Sequence, residues 1–102
     1  MAVKVFIKRK VAQGKQEELL ELIKRLRSLA IDQRGYISGE TLRSTAGPDA
    51  FSIIVISTWE SAEDWEAWKA SRERRELQNR IDEILGQETT YDTYHYTGRD
   101  RH

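Results

Sequence analysis

The chain has 102 residues, 33% of them charged, with 17 basic and 17 acidic side chains balancing to a formal charge of zero. That balance gives no overall attraction to nucleic acid or to an acidic membrane. The absence of cysteine excludes disulfides, thiolate metal sites and a cysteine nucleophile.

The length suits one domain, residues 1–102, with a modest core; a large binding cavity would need a second subunit. The first segment, AVKVFIKRKV at residues 2–11, alternates: Val3, Val5 and Ile7 fall on one face, with Lys4, Phe6, Lys8 and Lys10 on the other. A period of two predicts a half-buried strand. Its interrupting lysines fit neither a secretory leader nor a membrane span, so a soluble, cytoplasmic protein is expected. Gly14 breaks the pattern. From Lys15, the apolar residues Leu19, Leu22, Ile23, Leu26, Leu29 and Ala30 predict a long amphipathic helix. Glu21 and Arg25 pair on its outer face and Gly35 is its expected stop.

YISGETLRS, residues 36–44, predicts a second strand. The turn TAGPDA, 45–50, with Gly47 and Pro48, leads into a third, FSIIVISTW at 51–59. That strand is apolar on both faces, with Phe51, Ile53 and Val55 on one and Ile54 and Ile56 on the other. One layer of helices covers only one side of a sheet. A second copy of the sheet is therefore expected on the other side, making a homodimer. Ser61 then caps a short helix running to about Ala70, with Glu63 and Asp64 in its first turn. Ser71 caps another, whose buried stripe is Leu77, Ile81, Ile84 and Leu85 and whose stop is Gly86. ETTYDTYHY, 88–96, predicts the last strand, and residues 97–102 form a flexible tail. The order β-α-β-β-α(α)-β predicts an α+β, ferredoxin-like subunit.

No phosphate loop, HExxH, nucleophile elbow or calcium loop is present. His95 and His102 lack ligand spacing, so no metal is expected. Arg72, Arg74, Arg75 and Arg80 alternate with Glu73, Glu76, Asp82 and Glu83. That run reads as a solvated, salt-bridged helix face and not as a nucleic-acid patch. What stands out is TWESAEDWEAW, 58–68, which holds all three tryptophans. Trp65 and Trp68 share a helix face, and Trp59 lies on the Val55 side of its strand. If that side faces the helices, the three indoles converge. Packing alone accounts for them: each buries about 150–250 Å², so together they represent on the order of 10 kcal/mol of gross burial. An apolar cleft with polar groups nearby, drawn from Tyr36, Tyr94, Tyr96 and His95, is also what a small aromatic ligand requires.

The segment STWESAEDWEAWKASRER, with RGYISGETL before it, resembles the antibiotic biosynthesis monooxygenase superfamily, over about residues 2–96. The resemblance implies ferredoxin-like subunits paired into a dimeric α+β barrel. It also implies cofactor-independent oxygenation of phenols or quinols, haem degradation, or no known activity. Trp68 matches the tryptophan that lines the active cleft in both enzymatic branches. Where the haem-degrading branch has its axial histidine, ten residues after that tryptophan, this chain has Gln78. Ile7 stands near the place of that branch's first-strand asparagine. Haem degradation is thus disfavoured. Where the cofactor-free branch uses an asparagine and a tyrosine, Asp64 and Arg74 stand. The resulting expectation is a monooxygenase without cofactor, bringing dioxygen to a small electron-rich aromatic. Trp65 and Trp68 would form the wall, Tyr36 or Tyr94 would orient the ring, and Arg72 or His95 would favour its anion. The alternative is a non-catalytic dimeric ligand-binding or scaffold domain of the same fold.

Overall fold

The computed structural model describes residues 1–11, 14–44, 52–86 and 89–98. In chain order these form β1 (Val3–Lys10), α1 (Gln16–Ala30), β2 (Tyr36–Arg43), β3 (Ser52–Trp59), α2 (Ala62–Ala70), α3 (Arg72–Leu85) and β4 (Thr90–His95). The strands make one antiparallel sheet in the order β2-β3-β1-β4, which is the ferredoxin-like arrangement expected from the sequence. The expected turn at 45–50 with Gly47 and Pro48, Phe51, Glu88, and the tail beyond Gly98 with His102 lie outside the described residues.

The register fixes which side chains meet the helices. Val3 lies opposite Trp59 and His95, and Ile7 lies opposite Val55 and Tyr91. Side chains at paired positions share a face, so Val3, Val5 and Ile7 of β1 join Ile53, Val55 and Trp59 of β3 on the inner side. The helices close over them with Leu19, Leu22, Ile23 and Leu26 from α1, Trp65 and Trp68 from α2, and Ile81 and Leu85 from α3. The outer side carries Phe6, Leu42, Ile54, Ile56 and Tyr94, among Lys4, Lys8 and Glu40. Leu42 is 49% exposed and Tyr94 58%. Phe6 and Tyr94 meet edge to face with ring centroids 5.4 Å apart.

The caps act largely as the sequence suggests. The Ser61 hydroxyl accepts the Asp64 N–H at 3.1 Å and the Ser71 hydroxyl accepts that of Arg74 at 3.3 Å. Ser71 also ends α2, its own N–H donating to the Trp68 carbonyl at 3.0 Å. Gly86 closes α3 in the left-handed region, φ 67°. Gly35 differs from its expected role: α1 already ends at Ala30, and Ile31 caps it in a right-handed conformation. Gly35, at φ 83°, instead turns the chain into β2. The ion pair that Glu21 makes among the described residues is with Lys24, at 4.0 Å, and not with Arg25.

Candidate functional site

The alternation of β1 continues past Ile7. It brings Arg9 to the inner face, between Ile7 and the buried Val11, and leaves it 1% exposed. On α3 the inward stripe is Arg74, Gln78, Ile81 and Leu85, spaced by three or four residues. Arg74 therefore departs from the expected solvated face. It is 3% exposed, because it stands seven residues before Ile81 on the same side of the helix.

These polar groups form a chain of hydrogen bonds at the end of the core. Arg9 Nη2 donates to Gln78 Oε1 at 2.7 Å. Gln78 Nε2 donates in turn to Asp82 Oδ1 at 2.8 Å and to Thr89 Oγ1 at 2.7 Å. The Thr89 hydroxyl donates to Asp82 Oδ1 at 3.1 Å. Arg74 Nη2 donates to the Tyr91 hydroxyl at 3.0 Å, with its guanidinium 5.3 Å from the ring centres of both Trp65 and Tyr91. The Arg9 Nε is buried and has no hydrogen-bond partner. Burial, chiefly, pushes the Arg9 pKa down from its ordinary value to about 10; Tyr91 and Asp82 raise it and Arg74 lowers it. Arg9 remains a cation at neutral pH.

Both arginines line a cavity of about 50 Å³ between the sheet and the helices. Its apolar walls are the three tryptophans with Ile7, Ile23, Leu26 and Val55, and Tyr36 and Gly39 of β2 stand at one side. Trp59 and Trp65 lie 5.9 Å apart between centroids, and Tyr36 meets Trp59 edge to face at 5.4 Å. The Trp59 indole N–H finds its partner on its own strand, the Ser57 hydroxyl at 3.1 Å. A Cβ at position 39 would lie 2.5 Å from the Tyr36 hydroxyl oxygen, so glycine is what lets that ring lie across β2.

The structure thus brings Trp65, Trp68 and Tyr36 together. Tyr94 lies on the opposite face of the sheet, and His95 is exposed at the end of β4. Arg72 points outward, its Nε 3.1 Å from Glu76 Oε1. Asp64 serves the start of α2: the Ser61 hydroxyl, which accepts its N–H, donates in turn to its Oδ2 at 2.9 Å. The buried cations that reach the cleft are instead Arg9 and Arg74, while Arg27, also lining it, is exposed. Their signal was present in the sequence: Arg9 has the parity of Val3, Val5 and Ile7, and Arg74 and Gln78 share the stripe of Ile81 and Leu85.

Among the described residues, no three His, Asp or Glu side chains gather as a metal would need. No helix there is long and apolar enough to cross a membrane. A family model described as antibiotic biosynthesis monooxygenase matches residues 2–80. No curated protein matches the sequence. Among solved structures, a conserved protein from Methanosarcina mazei Go1 is 21% identical with a TM-score of 0.82, the match covering 92% of this chain and 91% of that one. Rv0793 from Mycobacterium tuberculosis is 11% identical with a TM-score of 0.83, covering 99% and 100%. SnoaB, a cofactor-independent oxygenase from Streptomyces nogalater, is 16% identical with a TM-score of 0.75, covering 99% and 97%. At such identities these likenesses establish the fold.

Proposed function

The chain belongs to the antibiotic biosynthesis monooxygenase family, and on that footing we propose that it is a cofactor-independent monooxygenase of a small, electron-rich aromatic substrate. One observation carries this reading: a cleft walled by three tryptophans and Tyr36 that ends in buried cations. A phenol or quinol held there as its anion can pass an electron to dioxygen directly. One oxygen atom then enters the ring and the other leaves as water, all the electrons coming from the substrate. The protein's part is to hold the ring, to stabilise its negative oxygen with fixed donors, and to exclude water. Trp65 and Trp68 supply the wall, and Arg74, steadied by the Tyr91 hydroxyl, supplies the charge. The Gln78 amide is committed to Arg9, Asp82 and Thr89, which supports a reading without haem.

A cavity of about 50 Å³ does not admit a ring; an apolar cavity of about 150 Å³ is what holds benzene. The site therefore opens before substrate binds. Tyr36, half-buried on the edge strand β2, is the wall that moves. The same reading makes the protein a homodimer through the uncovered outer face of its sheet. The small cavity also favours a second reading, a non-catalytic dimeric binding or scaffold domain. Oxygen uptake with a panel of hydroquinones and naphthols separates the two. Turnover by the wild type is expected, with Trp68→Phe lowering kcat by about tenfold or more in protein that circular dichroism shows to be folded at the assay temperature. No uptake above background by folded protein across the panel overturns the enzymatic reading.

A further inference from the structure

Arg9 and Arg74 carry more positive charge into the cleft than their surroundings balance. Neither forms a salt bridge among the described residues. The carboxylate nearest in bonding is Asp82, and it reaches Arg9 only at second remove, through the neutral amide of Gln78. The partners of Arg74 are a neutral phenol and two aromatic faces. Two buried cations thus share one indirect carboxylate, so about one positive charge is left over.

A buried guanidinium is expensive to desolvate and is kept cheaply only beside an anion. In this cleft one donor, Arg9 Nε, is already turned away from water without a partner. The wall beyond is apolar and aromatic. We propose that the cleft takes its ligand as an aromatic carboxylate, the ring against Trp65 and Trp68 and the carboxylate held by Arg9 and Arg74. The planar guanidinium fork matches the two coplanar oxygens of a carboxylate, and a carboxylate is ionised at neutral pH without help from the protein. Gln78 is the positioning residue: it holds Arg9 through Nη2 and leaves Nε free. This rests on the cleft being the ligand site, as the preceding reading holds, but it does not require that oxidation occur there.

The test measures binding alone. Benzoate and benzamide have nearly the same shape and differ in charge, and neither is turned over. The three tryptophans give three indole N–H signals in a nitrogen–proton correlation spectrum, so each ligand can be titrated against Trp65 and Trp68. Benzoate should bind with saturable shifts, about tenfold or more tighter than benzamide, as expected for a charge-assisted contact. Arg9→Met should erase that preference while keeping the wild-type pattern of amide signals. Should Arg9→Met fail to fold, Arg74→Gln replaces it and must lose the same preference. Equal affinities in the wild type, no saturable shift at millimolar benzoate, or full preference retained in a folded variant each overturn the proposal. Oxygen uptake from neutral quinols without carboxylate preference would leave the enzymatic reading and remove this one. Benzoate binding with the carboxylate preference, and no uptake from any member of the hydroquinone and naphthol panel, would do the reverse.

Discussion

At the scale of single residues, Arg9 is the side chain whose position most needs a reason. Its pKa in the folded chain lies below its usual value, at about 10, chiefly because burial disfavours the charged form. For a base shifted in that direction the unfolded state holds its proton to higher pH. The burial penalty is therefore full below about pH 10 and fades only as pH rises from there toward the ordinary arginine value. A shift of this size corresponds to on the order of 3 kcal/mol against folding at neutral pH. Arg9→Met removes that penalty but leaves Gln78 Oε1 without its donor, a loss of about 1–3 kcal/mol. The two nearly cancel. Urea unfolding should place Arg9→Met within about 2 kcal/mol of wild type, whereas breaking a buried ion pair typically costs about 3–5 kcal/mol. A loss in that larger range would make Arg9 a structural pillar.

At the scale of elements, the start of β2 and the start of α2 are locked together by Gly35. Its carbonyl accepts the Glu60 N–H at 2.7 Å, and the Asp64 carboxylate occupies the space where its side chain would be. Gly35→Ala meets both a left-handed backbone, φ 83°, and a collision with Asp64. It should cost about 1–3 kcal/mol in denaturant unfolding. Adding Asp64→Ala should recover part of that loss, giving a clear coupling in a double-mutant cycle. The sequence made this element order legible because apolar periods of two and of 3.6 are written in the side chains that become core. The role of Gly35 was not legible, since a glycine after a helical pattern marks a stop or a later turn equally well. The buried arginines do carry the period of their stripes, but a charge on an apolar stripe invites the assumption that the stripe has ended. The tryptophans were legible as a cluster; that Tyr36 and not Tyr94 joins them depended on which way each strand faced in the sheet.

At the scale of the whole molecule, the chain is a slab of 39 × 38 × 19 Å, one sheet and one layer of helices thick. The uncovered side of the sheet presents Phe6, Ile54 and Ile56 in adjacent rows, with Ile56 opposite Phe6 and Glu40. In the proposed homodimer this face is buried, and Ile56→Glu should convert a dimer into a monomer by light scattering at micromolar concentration. A monomeric wild type would refute the dimer. Ser71, meanwhile, is at once the end of α2 and the start of α3, with ψ 147° between them. Trp68 lies on one side of this single-residue joint and Arg74 and Gln78 lie on the other. At 1.5 Å per residue Gln78 sits about 10 Å out along α3, so a tilt of about 6° at the joint moves it by about 1 Å. The lever links two properties that would otherwise vary separately: any rotation that widens the aromatic slot also re-aims its charge.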